Sequence, residues 1–153
     1  MVSRYELFSS CISSMYHDIQ KLERMEMAKF GLKGPHAHCL LAISKYPEGI
    51  TAAQLCEVCE KDKAAVSRIL AELEQEGLVN RECRNGIRYR ASLTLTAMGK
   101  AAADAVGEKA KLAVELAGEG LTDAQREVFY RVLAQISGNL SSLCKDGLRK
   151  STI

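Results

Sequence analysis

A mainly α-helical fold carrying one small β-hairpin is predicted by three observations. Most of the chain shows apolar residues recurring every three or four positions. One short stretch alternates strictly between apolar and polar. Hydroxyl or carboxylate side chains stand where several of the helical runs should open. The 153 residues suit one domain over 1–153, with enough chain for a real core. A net charge of +2 is too small to argue for an anionic partner, so any such argument rests on how the charge is distributed. No apolar run has the length of a membrane span, and the amino terminus, with Arg4 and Glu6 inside a helical pattern, is unlike a signal peptide. A cytoplasmic protein with no membrane contact is therefore expected, and its six cysteines, lacking a regular framework, read as reduced thiols.

The elements follow in order. From 3 to about 29, Tyr5, Phe8, Ile12, Met15, Tyr16, Ile19 and Leu22 form the apolar stripe of a long amphipathic helix. Gly31, Gly34 and Pro35 break it, and Pro35 suits the first turn of a second helix that ends near Tyr46-Pro47. Thr51-Ala52-Ala53-Gln54 is a capping box opening a short third helix. Glu60-Lys61 then interrupts the pattern and Asp62 offers a new N-cap, a turn of about three or four residues of the kind that joins a helix-turn-helix. After the hairpin, Thr96 caps an alanine-rich helix reaching about Ala117, and Thr122-Asp123-Ala124-Gln125 opens the last one, striped by Val128, Phe129, Val132, Leu133, Ile136, Leu140 and Leu143. The tail beyond Gly147 is expected to fray.

The fourth helix, from Lys63 to about Glu76, buries Ala65, Val66, Ile69, Leu70 and Leu73, which leaves Lys63, Ala64, Ser67 and Arg68 on its outer face. Small side chains beside cationic and hydroxyl ones permit close approach to base edges and hydrogen bonding once there, as a major-groove helix requires. Glu72, Glu74 and Glu76 would repel phosphates, so only the N-terminal half suits a groove. Gly77 ends the helix, Leu78 to Cys83 reads as a strand, and Asn85-Gly86 is a type I′ hairpin signal. On the return strand Tyr89, Ala91, Leu93 and Leu95 face one way and Arg88, Arg90, Ser92 and Thr94 the other. A two-residue turn would set Arg81 opposite Arg90, an arrangement favourable only with an anion between the charges. Arg81, Arg84, Asn85, Arg88 and Arg90 thus make the hairpin a cationic wing for DNA phosphate or a narrow minor groove. The fold so read is a winged helix-turn-helix over about 35–95, flanked by long helices over about 3–29 and 96–146.

The string from Leu55 to Val79, with Asp62-Lys63, Val66-Ser67-Arg68, Leu73-Glu74 and Glu76-Gly77-Leu78-Val79, resembles the winged helix of the multiple-antibiotic-resistance regulator (MarR) family. Gly34-Pro35 and Leu40-Leu41 before it, and Leu95-Thr96 with Gly99 after it, extend the likeness over about Gly31 to Ala105. The resemblance implies a homodimeric transcription regulator, usually a repressor, on a pseudo-palindromic operator in double-stranded DNA, released by a small molecule or an oxidant. It implies that Lys63, Ala64, Ser67 and Arg68 read the major groove and that Arg88 is the wing arginine. Ile87 stands where the family has an aspartate before that arginine, and Glu60 where it has a turn glycine.

The long terminal helices carry more apolar surface than a winged helix of about sixty residues can cover, which points to a second copy. A two-fold dimer would also set two recognition helices roughly 34 Å apart, on successive major grooves. Dimerisation is expected through Phe8 to Leu22 and Val128 to Leu143, with the wings outward.

Other chemistry is weighed against packing. Cys56-x-x-Cys59 has the spacing of a thiol or zinc half-site but no second pair, and reads as core. His36, His38 and Cys39 lie near a helix start, yet His38 points away from the face shared by the other two, so no metal site is assigned. Cys11 is the candidate redox sensor, since relatives that sense organic hydroperoxides carry a reactive cysteine on the first helix; its apolar neighbours Phe8, Ile12 and Met15 favour simple packing. Tyr5, Met15 and Tyr16 are the candidate lining of a ligand cleft, with the effector unknown. No Ser/His/Asp order, paired carboxylates or phosphate-cradling glycine loop points to an enzyme, and no cofactor is expected. The rival readings are a winged-helix module that binds protein instead of DNA, and a thiol- or metal-responsive sensor variant of the regulator.

Overall fold

A computed structural model of the protein describes residues 3–83, 86 and 90–148. Among these, six helices and a two-stranded antiparallel hairpin follow in order: α1 Arg4–Ala28, α2 Gly34–Ser44, α3 Ala52–Cys59, α4 Lys63–Gln75, β1 Val79–Glu82, β2 Ser92–Leu95, α5 Ala97–Ala117 and α6 Asp123–Asp146. The mainly helical winged-helix fold read from the sequence is the one observed.

The helix starts obey local chemistry. Ser3, Thr51, Asp62 and Thr122 each accept a hydrogen bond from the backbone N–H three residues on, which satisfies one of the orphan donors of a first turn. Thr96 does the same for Gly99 N–H at 3.0 Å, and its own hydroxyl donates to the Gly77 carbonyl at 2.6 Å, tying the start of α5 to the end of α4. Gly99 allows that joint to close, because a Cβ there would collide with the Leu78 carbonyl oxygen. Gly77 leaves α4 at φ +72°, a left-handed conformation that favours glycine.

By internal contacts the chain divides into two compact units, Met1–Ala113 and Val114–Ile153. The first holds the core. Its centre is α2, where Ala37, Cys39, Leu40, Ala42 and Ile43 are buried against Leu55 and Cys59 of α3, Val66, Leu70 and Leu73 of α4, Leu93 of β2 and Val106 of α5. Met27 anchors the C-terminal end of α1 in that core, while Phe8, Ile12, Met15, Ile19 and Leu22 further up the helix stay 38–45 % exposed. In the second unit Arg126 Nη1 pairs with Glu115 Oε2 at 2.8 Å and Nη2 donates to the Gly118 carbonyl at 2.8 Å, yet no residue of α6 is buried.

The hairpin departs from expectation in register. The pairs are Val79↔Leu95, Asn80↔Thr94, Arg81↔Leu93 and Glu82↔Ser92, so Arg81 faces Leu93 and not Arg90, three residues from the register that a two-residue turn at Asn85-Gly86 would set. The reason lies at the hairpin's base. Ile50 and Leu93 exchange both backbone hydrogen bonds, at 3.0 and 2.8 Å, and Thr96 N–H donates to the Leu78 carbonyl at 3.0 Å. These contacts, with Ala91 and Leu93 turned into the core, fix the strands before the Asn85-Gly86 signal can act. Asn85 lies outside the described residues, and Gly86 has φ +69°.

Candidate nucleic-acid interface

The outer face of α4 is built by its own periodicity. Val66, Ile69, Leu70 and Leu73 are buried, and Lys63, Ala64, Ser67 and Arg68 are all exposed on the first two turns. Asp62 Oδ1 accepts from Ala65 N–H at 2.7 Å, fixing where the helix begins and so which residues lead its exposed end. The turn before it is made by Glu60 at φ 51°, ψ 42°, the one non-glycine residue with positive φ among those described. The position that the family fills with glycine thus keeps the left-handed backbone even with a side chain present.

The carboxylates of the second half of α4 do something the sequence did not suggest. Glu72 and Glu74 project on opposite sides of the helix, being two residues apart at about 100° each. Glu72 Oε2 meets His36 Nε2 of α2 at 2.7 Å, and Glu74 Oε1 meets Nε and Nη2 of Arg81 on β1 at 2.7 and 2.6 Å. His36 is only 3 % exposed, and its Nδ1 lies within hydrogen-bond distance of both the N–H and the carbonyl oxygen of Lys33, at 3.0 and 2.8 Å. Helix α4 is braced to α2 on one side and to β1 on the other. A buried histidine and acidic residues in the helix's second half were the only sequence signals of this, since the partners are 36 and 7 residues apart.

Between α3, α4 and β1 runs a groove of about 640 Å³ whose lining includes Ala53, Val66 and Leu70, the polar Lys63, Ser67 and Arg81, and the carboxylates of Glu57 and Glu74. Of the wing cations, Arg90 is exposed and Arg81 is half-buried against Glu74, while Arg84, Asn85 and Arg88 lie outside the described residues. The other candidate groups stay apart. Cys11 is exposed on α1, and Tyr5, Met15 and Tyr16 are exposed on the same helix and line neither that groove nor the small cavity of about 80 Å³ beside Gln20, Arg24 and His38. His36 and Cys39 are buried and His38 is exposed, and among the described residues no group of three or more metal-ligating side chains converges.

Residues 30–86 match the sequence model of the MarR family. That stretch, which is similar to the MarR family, spans α2, α3, α4 and β1. None of the curated proteins matches the chain in sequence. Solved structures agree with the MarR fold over nearly the whole length. A MarR family transcriptional regulator from Silicibacter pomeroyi has a TM-score of 0.75 at 20 % identity, over 99 % of this chain and 97 % of that one. The structure of MarR itself has a TM-score of 0.79 at 20 % identity, over 95 and 99 %. A putative MarR family regulator from Listeria monocytogenes, complexed with a 26mer DNA, has a TM-score of 0.78 at 18 % identity, over 94 and 97 %. No helix among the described residues is long and apolar enough to cross a membrane.

Proposed function

We propose that the protein is a sequence-specific regulator of transcription that binds double-stranded DNA as a homodimer, acting as a cytoplasmic repressor on a pseudo-palindromic operator. The observation that carries this reading is the exposed N-terminal half of α4, where Lys63, Ala64, Ser67 and Arg68 stand together while the carboxylates of the second half are engaged elsewhere. In the proposal Ser67 and Arg68 read base edges, Lys63 and the small Ala64 allow the helix to approach, and Arg90 with Arg84, Asn85 and Arg88 meets the backbone or minor groove. Arg81, held by Glu74, orients the wing on α4 and faces the same groove. That a solved structure of the same fold is complexed with a 26mer DNA supports duplex DNA as the partner. The exposed apolar faces of α1 and α6 support a second copy as their cover, the whole chain, 1–153, acting as one module within the dimer.

The test is duplex affinity at several salt concentrations. Each phosphate neutralised contributes about −0.9 to the slope of log affinity against log salt, so Arg90→Ala should weaken binding to every duplex and flatten the slope by about one unit. Arg68→Ala should instead relax preference at particular base pairs, at about 1 to 3 kcal/mol each. A protein with no salt-sensitive affinity for any duplex is a protein-binding winged helix, and the proposal fails. Release of the operator by an effector belongs to the same reading: cumene hydroperoxide should release wild type but not Cys11→Ser if Cys11 is the sensor, and equal behaviour of the two removes that role.

A further inference from the structure

We propose that the polar cavity between α1, α2 and the α3–α4 turn binds a phosphate group, either the free ion or the end of a small monoester. The cavity, of about 80 Å³, is bounded by Glu23 and Arg24 of α1, Gly34 and His38 of α2, and Lys61 of the turn. Two permanent cations and an imidazole therefore meet around a single carboxylate. Among the described residues neither Arg24 nor Lys61 has an ion-pair partner, and Glu23 pairs with neither of them. Like charges gathered around one cavity repel, and an anion set between them turns that repulsion into attraction.

The backbone beneath fixes where the cations stand. A Cβ on Gly34 would collide with Cγ and Cδ of Arg24, so the stem of that side chain lies directly over the start of α2. Lys61 is half-buried, and its N–H donates to the Cys56 carbonyl at 3.1 Å, which holds it at the end of α3; Asp62, the next residue, caps α4. His38 follows Gly34 by about one helical turn and is exposed. The donors thus come from three separate elements, a set that suits a tetrahedral oxyanion, with acceptors on every side, better than a planar carboxylate. The space agrees, since at roughly 10–15 Å³ for each water-sized occupant it takes about six of them, enough for phosphate and too little for a substituted aromatic ring. Arg24 and His38 are both exposed, which leaves a mouth through which the organic end of a monoester can project.

Glu23 sets the balance of charge. Burial raises its carboxyl above the ordinary range, with His38 opposing the shift. Protonated, it can donate to a phosphate oxygen; ionised, it repels one. It is the group in the cavity whose neutralisation should tighten binding. A phosphate held there would tie α1 to the residue that precedes the cap of α4.

The experiment is titration calorimetry of the full chain, without duplex, using sodium phosphate, glycerol phosphate and sodium acetate at one ionic strength. Wild type should bind a single phosphate per chain saturably and acetate much more weakly. Arg24→Gln and Lys61→Met should each weaken phosphate binding by about tenfold or more, the usual loss of a charge-assisted hydrogen bond. Glu23→Gln should instead tighten it. Gly34→Ala alters no charge but displaces the stem of Arg24, and should weaken binding too. Glycerol phosphate separates the sources: affinity equal to or above that of the free ion assigns a monoester, and exclusion assigns inorganic phosphate. The proposal is overturned if no saturable heat appears, if acetate binds as tightly as phosphate, or if the four variants bind as wild type does. Phosphate strengthens folding generally as an excluded salt, so melting temperature serves only to show, in its absence, that each variant is folded. Should one variant melt early, the remaining three decide, and the result does not depend on duplex binding.

Discussion

Glu60 occupies a backbone conformation that costs a side-chain-bearing residue about 1 kcal/mol or more. Glu60→Gly should therefore raise stability by up to about 1 kcal/mol, after allowing for the greater freedom of glycine in the unfolded chain, and urea unfolding would measure it. Thr51→Ala should cost about 1 kcal/mol, through loss of the cap on α3. Glu23 offers a test by pH. Burial raises its carboxyl above the ordinary range, with His38 opposing the shift. An acid whose folded value is raised favours folding only while protonated, so ionisation of Glu23 should destabilise as pH climbs through that raised value. Glu23→Gln should thus raise the melting temperature at neutral pH, and the gain should vanish once pH falls below the usual carboxylate range. What the sequence told at this scale was local: the caps were legible because a cap and the N–H that donates to it are three residues apart. The turn at Glu60 was legible as a break, but its left-handed backbone was not, because glutamate gives no sign of positive φ.

The elements themselves were readable to within a few residues, since apolar periodicity and helix-ending glycines are properties of short windows. The pairing of elements was not. The hairpin register depended on Ile50, Gly77 and Thr96, which the Asn85-Gly86 signal could not anticipate. Likewise Glu72 and Glu74 looked like a repulsive strip and proved to be the struts of α4. If His36 and Glu72 act as one strut, His36→Phe and Glu72→Gln should be non-additive, with a coupling of about 0.5 to 3 kcal/mol in a double-mutant cycle. Additive effects would mean that the contact transmits nothing to the helix. Gly99→Ala addresses the other fixed joint. Its methyl would meet the Leu78 carbonyl, so either α5 or the base of the wing must shift, and a loss above about 2 kcal/mol is expected.

At the scale of the molecule the two flanking segments were legible as amphipathic helices, and what they cover was not, because one sequence does not contain the surface it meets. Phe8, Ile12, Met15, Ile19 and Leu22 of α1 and Val128, Phe129, Val132, Leu140 and Leu143 of α6 are exposed in the single chain. Under the proposed dimer, Phe129→Glu should convert a sedimenting two-chain species into one chain while leaving the winged helix folded. A 24-residue helix with no buried residue has little of its own to keep it wound. If association supplies the difference, the melting temperature should climb with the logarithm of protein concentration. Dilution would then act as a mild denaturant, and the abundance of the protein would set how much of it is intact.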